Sequence, residues 1–205
     1  MAESCPIGFD VAELRRQVAE TYAQVARDPN GDYHFHRGPD YAAELLGYDR
    51  AELATLPERC TAPFAGVANP LALGPVHPGE TVLDVGSGSG MDLLLAARRI
   101  GPGGRALGVD LTAEMRELAA ANAREAGLDD RVTILEGHTD ELPVDDASVD
   151  LVISNGVLNL SPDKRTAFGE VFRVLRPGGR LYLGDVVIGR DLSERTRSDV
   201  DLWAA

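Results

Sequence analysis

The residues best suited to chemistry stand in one short run, Asp84-Val85-Gly86-Ser87-Gly88-Ser89-Gly90. Glycines at 86, 88 and 90 permit positive φ and let a ligand approach the main chain with no Cβ in the way. Many nucleotide-binding folds share such a turn, so the turn alone says little. Asp84, two residues before the first glycine, narrows the choice. A pyrophosphate brought here would meet a repulsive carboxylate, whereas an ammonium would be attracted by it. The run therefore reads as a site for a nucleoside that carries a free amino acid and no phosphate, with Gly86, Ser87, Gly88 and Gly90 supplying the close approach. Asp110, 24 residues after Gly86, stands where an acid takes both ribose hydroxyls. It also serves as a negative charge at the start of the next helix, and the two roles are compatible. Leu111 and Met115 offer apolar flanks to a base. In the polar loop Gly137-His138-Thr139-Asp140, Asp140 is a candidate acceptor for an adenine amino group, or else a solvated acid. His138 is either a neighbour of the adenine or exposed.

A second group lies upstream in Gly31-Asp32-Tyr33-His34-Phe35-His36. Histidines two apart in extended chain face one side and Tyr33 and Phe35 the other. His34, His36 and Tyr33 are thus the candidates for a general base or an acceptor contact. The competing account is that they pack an N-terminal cap onto the rest. No third ligand accompanies them, so no metal site is expected. Asn155 and Gly156 form a third pair. Asn155 can bond a cofactor or acceptor and Gly156 leaves space beside it, or the two simply end a strand.

These residues need elements to hold them. Val11, Leu14, Val18, Tyr22 and Val25 recur at helical spacing, with Asp10 as N-cap and Asp28-Pro29-Asn30-Gly31 as terminator. Short helices are expected over Asp40–Leu46 and Arg50–Leu56. From Glu80 the pattern alternates. Strands are expected at Thr81–Val85, Arg105–Val109, Val132–Glu136, around Leu151–Ser154, and at Arg180–Ile188. Helices are expected at Met91–Ile100, from the cap Thr112 to Ala126, and at Pro162–Leu175. Strands joined through helices form right-handed crossovers and a parallel sheet covered on both faces. The expected fold is a doubly wound, Rossmann-like α/β sheet, with ligands beyond the carboxyl ends of its strands. Residues 1–78 form an N-terminal helical cap and substrate-side segment, and 79–205 the ligand-binding core.

Composition bounds the partners. Twenty basic against 33 acidic residues leave a net charge of −13, a field that repels nucleic acid and favours a small-molecule partner. No apolar run approaches the length of a membrane span. The first ten residues carry no secretory pattern, and two cysteines, Cys5 and Cys60, suit a reducing cytoplasm. Nothing in the sequence fixes the oligomeric state.

The succession TVLDVGSGSGMDLLLAARRIGPGGRALGVDLT, ELPVDDASVDLVISN and VFRVLRPGGRLYLGD resembles the class I S-adenosylmethionine-dependent methyltransferases. GPGGRALGVDLTAEM, VISNGVLNLSPDK and GVANPLALG are similar, more narrowly, to the arsenite methyltransferase group. The resemblance implies S-adenosyl-L-methionine as cofactor, S-adenosyl-L-homocysteine as product, and methyl transfer to a small molecule. It also implies cysteines that bind arsenic at two positions which here read Val67 and Gly156. Neither supplies a thiolate, so a relative with a changed acceptor is expected. Arsenite methylation and non-catalytic cofactor binding remain as alternatives. Family sheets continue past strand five, so this chain is expected either to be truncated there, which would leave an exposed edge, or to be unusually short.

Overall fold

The computed structural model describes residues 10–187 and 189. The chain opens with α1 (Val11–Arg27), where the Asp10 side chain accepts from the Ala12 N–H and so caps the helix. Three short helices follow, α2 (Gly38–Leu45), α3 (Arg50–Leu53) and α4 (Glu58–Thr61). The expected helix at Arg50–Leu56 is thus shorter than its pattern suggests. The chain resumes helical geometry only after Pro57, which cannot donate into a continuing helix.

Five strands come next: β1 (Thr81–Val85), β2 (Arg105–Asp110), β3 (Val132–Glu136), β4 (Val149–Asn155) and β5 (Leu175–Gly184). They alternate with α5 (Met91–Ile100), α6 (Ala113–Glu125) and α7 (Lys164–Val174). All neighbours are parallel, in the order β3-β2-β1-β4-β5. Helices cover both faces of the central strands, which is why β1 and β4 are buried along nearly their whole length rather than at alternate positions. The chain builds outward from β1 in one direction and then returns to add β4 on its other side. A crevice opens at that reversal, beyond the carboxyl ends of β1 and β4.

β5 begins earlier than expected. Leu175 pairs with Val149, and Arg180 pairs with Leu151, so residues 176–179 are extra chain opposite Asp150. Arg176 pins this irregularity by reaching both carboxylate oxygens of Asp150 at 2.6 Å. β5 also ends sooner than expected, at Gly184, and residues 185–187 are not strand; Ile188 and Cys5 lie outside the described residues. Among the described residues β5 is an edge of the sheet.

The core is shared. Tyr48, Leu53, Leu56, Cys60 and Phe64 from the N-terminal segment pack in one cluster with Val82, Leu93, Leu94 and Ile153. A second cluster on the opposite face joins Leu83, Val152, Leu158 and Val171. α1 lies against α6, and Arg27 is paired with Glu114. Among the described residues no helix is long and apolar enough to cross a membrane.

Candidate functional site

The turn after β1 is fixed from below by the neighbouring strand. The Gly86 and Ser87 N–H groups both donate to the Val109 carbonyl, at 2.8 and 3.1 Å. Gly86 has φ +78°, and a Cβ there would come within 2.3 Å of Val157, so both backbone and space demand glycine. Gly90 starts α5 with φ +94° and faces Ala119 of α6 rather than the crevice. The back of the turn is tied down by Asn122, whose Nδ2 donates to the Ser89 carbonyl at 2.9 Å, and by the Ser89 hydroxyl, which donates to the Cys60 carbonyl at 2.7 Å.

Above the turn lies a cavity of about 150 Å³, against the roughly 10–15 Å³ that admits one water; it is sized for an organic molecule. Asp84 to Ser89 form its floor, Asp110 to Thr112 with Met115 one side, and Gly137 to Thr139 the rim beyond. Asn155, Gly156 and Val157 make the opposite wall, and Leu14, Arg15, Val18 and Tyr22 of α1 roof it.

Three carboxylates meet here, and among the described residues none is ion-paired. Asp84 is 2% exposed and Asp92, from the first turn of α5, is 6% exposed. Burial, reinforced by the charges of Asp92 and Asp110, pushes Asp84 well above the usual carboxylate range. Burial also raises Asp92, against the pull of hydrogen bonds from Asn155 and Tyr48. Asp110 is raised by burial too, although its Oδ2 accepts from the Gly88 N–H and its Oδ1 from the Thr112 N–H, both at 2.8 Å. Each oxygen keeps a lone pair for a further donor. Buried acids crowded in this way call for a cationic ligand. The Ser87 hydroxyl, also in the floor, is buried without a hydrogen-bond partner.

The cavity gathers Asp84, Gly86, Ser87, Gly88, Asp110, Leu111, Met115, His138, Thr139, Asn155 and Gly156. Gly90 supports the turn from behind. Asp140 lies outside the lining and is held by Arg15 Nη2, at 2.7 Å from each carboxylate oxygen. The upstream trio is placed elsewhere. The His34 ring stands edge-on to Phe35 at 6.0 Å, His36 stacks on Tyr41 at 5.3 Å, and Tyr33 lies under the Arg37 guanidinium at 4.1 Å. None of the three lines the cavity. Among the described residues no group of three His, Cys, Asp or Glu is placed to hold a metal ion.

α1 belongs to the expected substrate-side cap, but which of its residues reach the cavity was not legible; Leu14, Arg15, Val18 and Tyr22 do so. Asp92 carried a signal that went unused: an acid in the otherwise apolar opening MDLLLAA must find partners once buried.

The thiol question has a geometric answer for the described residues. A Cβ on Gly156 would stand 3.3 Å from Val67 Cγ1, so these two positions adjoin. Cys60 is fully buried behind the turn, its Sγ 3.6 Å from the Ser89 carbonyl, and burial pushes its thiol up. No described cysteine lines the cavity.

A parallel sheet in this order, with an acid-tipped glycine turn at its reversal, defines a Rossmann-like methyltransferase core. Residues 76–205 match the family model described as a methyltransferase domain, and the chain belongs to that family. It is 38% identical to an arsenite methyltransferase of Halobacterium salinarum, over 94% of this chain and 52% of that one. It is 35% identical to the 27-O-demethylrifamycin SV methyltransferase of Amycolatopsis mediterranei, over 74% of this chain and 58% of that one. Among solved structures, an arsenic(III) S-adenosylmethionine methyltransferase of Chlamydomonas reinhardtii superposes with a TM-score of 0.68 at 39% identity, covering 75% of this chain and 53% of that one. The chain spans about half the length of the arsenite methyltransferases it matches.

Proposed function

We propose that this chain binds S-adenosyl-L-methionine and transfers its methyl group to a small-molecule acceptor, releasing S-adenosyl-L-homocysteine. The observation that carries this reading is a buried acid without an ion-pair partner among the described residues, Asp84, set beside the amides of a glycine turn. The residues present fit the cofactor: Asp84 suits its ammonium, Asp110 its ribose hydroxyls, and Leu111 with Met115 the faces of its adenine. Asn155 and Gly156 belong to the wall where donor and acceptor meet. When bound, S-adenosylmethionine supplies an electrophilic methyl group on a sulfonium.

The protein's own task is then alignment and exclusion of water. The floor fixes the donor, α1 closes over it, and the wall at Gly156 and Val157 leaves an apolar approach. Holding two reactants in attack geometry contributes about 7–11 kcal/mol to such reactions. Of the four histidines only His138 reaches the cavity. An acceptor that is nucleophilic without prior deprotonation therefore fits better than one needing a base. The net charge of −13 argues for a small acceptor rather than nucleic acid, and the cysteine usage for the cytoplasm.

Arsenite is a second reading, favoured by the names of the relatives. Val67 and Gly156 side by side, with Cys60 sealed away, speak for a different acceptor. The deciding experiment is calorimetric titration with S-adenosylhomocysteine of the wild type, Asp84→Ala and Asp110→Ala. Binding by the wild type that is lost in both variants supports the assignment; equal binding by all three rules it out. Methyl transfer from labelled donor to arsenite would establish the second reading, and donor binding with no transfer to any acceptor of a broad panel would make the protein a non-catalytic binder.

A further inference from the structure

Asp92 is the acid that the donor site does not by itself explain. Its two oxygens are taken by protein donors: the Tyr48 hydroxyl at 2.6 Å and Asn155 Nδ2 at 3.0 Å. Asn155 Nδ2 also donates to the Ala68 carbonyl at 2.8 Å. Tyr48 Oη lies a little farther from the same carbonyl, 3.1 Å, and 3.2 Å from Asn155 Nδ2. One hydroxyl proton and two amide protons thus meet two carboxylate oxygens and one carbonyl. The account closes when Asp92 is a carboxylate.

The other end of the Asn155 amide faces a different group. Asn155 Oδ1 accepts from the Val67 N–H at 2.8 Å and from the Ala68 N–H at 3.1 Å. The approach is close because small residues permit it: a Cβ on Gly66 would lie 2.3 Å from Asn155 Nδ2, and one on Gly184 2.4 Å from Ala68 Cβ. Turning the amide over would set an NH2 against two N–H donors and an oxygen against a carboxylate. Only one orientation is sound while the acid at 92 is present.

We propose that Asp92 is a positioning residue: its carboxylate, with Tyr48, fixes which way the Asn155 amide faces, and so clamps residues 66–68 as a rigid wall of the cavity. Asp92 lies in the cavity floor with Asp84, while residues 66–68 hold Val67 against Gly156. One side chain therefore ties the donor floor to the acceptor wall and sets the spacing between them. That purpose rests on the methyltransferase reading; the clamp itself does not.

Asp92→Ala and Asp92→Leu each remove both acceptor oxygens, so Tyr48 and one Asn155 amide proton lose their partner and the hold on Asn155 loosens. Hydrogen exchange measured by NMR on the whole chain is expected to quicken at least about ten-fold at the Val67 and Ala68 amides in both variants, with Leu83 of β1 unchanged. Asp92→Asn keeps one oxygen for the Asn155 proton while its NH2 donates to the Tyr48 hydroxyl, and is expected to hold both rates within about three-fold of wild type. Loss of packing alone would separate Asp92→Ala from Asp92→Leu, which fills the space without an acceptor. Tyr48→Phe removes one proton but keeps the acid and covers the case in which neither apolar variant folds; a rise of about two- to five-fold is expected. Wild-type rates in Asp92→Leu or in Tyr48→Phe, or an Asp92→Asn that exchanges as fast as Asp92→Leu, would overturn the clamp. Titration of the wild type with S-adenosylhomocysteine is read separately. No binding there sinks the methyltransferase reading, while the exchange rates still decide the clamp.

Discussion

Asp84 shows how an acid can be held in reserve. Burial makes it hold its proton more tightly than an ordinary carboxyl, and the proton must leave before the group can oppose an ammonium. Affinity for S-adenosylhomocysteine is therefore expected to strengthen as pH rises and to level off once free Asp84 is ionised. In Asp84→Asn this pH limb should vanish and affinity should fall about 100-fold, the order of an unpaired buried charge, roughly 3 kcal/mol. Calorimetry across pH checks both. Folding carries the same sign. A carboxyl that holds its proton more tightly when folded contributes stability below its unfolded value near about 4, and loses it as pH rises through the folded value. Asp84→Asn should consequently raise the melting temperature of the ligand-free protein at pH 7 by at least about 2 °C, roughly the shift from one kcal/mol in a chain of this size. A lower melting temperature would refute the cost assigned to this acid.

At the scale of elements, the turn and its neighbours constrain each other. Gly86→Ala would drive a methyl into Val157 and force a non-glycine residue to φ +78°. Adding Val157→Ala should restore part of the lost stability, leaving a backbone cost of about 1 kcal/mol. Thermal melts of the single and double variants separate steric from backbone strain. α1 is held over the cavity by the Arg15–Asp140 and Arg27–Glu114 pairs. Arg15→Ala is expected to quicken release of S-adenosylhomocysteine several-fold, read by stopped-flow, because a partly exposed pair contributes up to about 1 kcal/mol.

These elements were legible in the sequence to different depths. β1, β3 and α5 match their expected bounds because turn residues fence them on both sides. The start of β5 was not legible, since Pro177-Gly178-Gly179 reads as a break and only the pairing of Leu175 with Val149 shows the strand resuming across it. The floor of the site came from one contiguous motif. Its roof and the Tyr48–Asp92–Asn155 group depend on contacts spanning 44 to 125 positions, which no local pattern encodes.

For the whole molecule, cofactor binding and stability should move together. At one hundred times its dissociation constant a ligand that binds only the folded state adds about 2.7 kcal/mol, or roughly 5–10 °C here. S-adenosylhomocysteine at that excess should produce such a shift in the wild type and little in Asp84→Asn. Since one core cluster spans both Tyr48 and Ile153, the N-terminal helices and the sheet should melt in a single transition.

That shared core also seals Cys60, whose sulfur has no exposure at all. In a Cys5→Ser background it becomes a silent clock. A thiol-specific dye can mark it only when the interior opens, so the labelling half-time would time the opening of the native fold, and its lengthening under added nucleoside would weigh the ligand's grip without any knowledge of what is methylated.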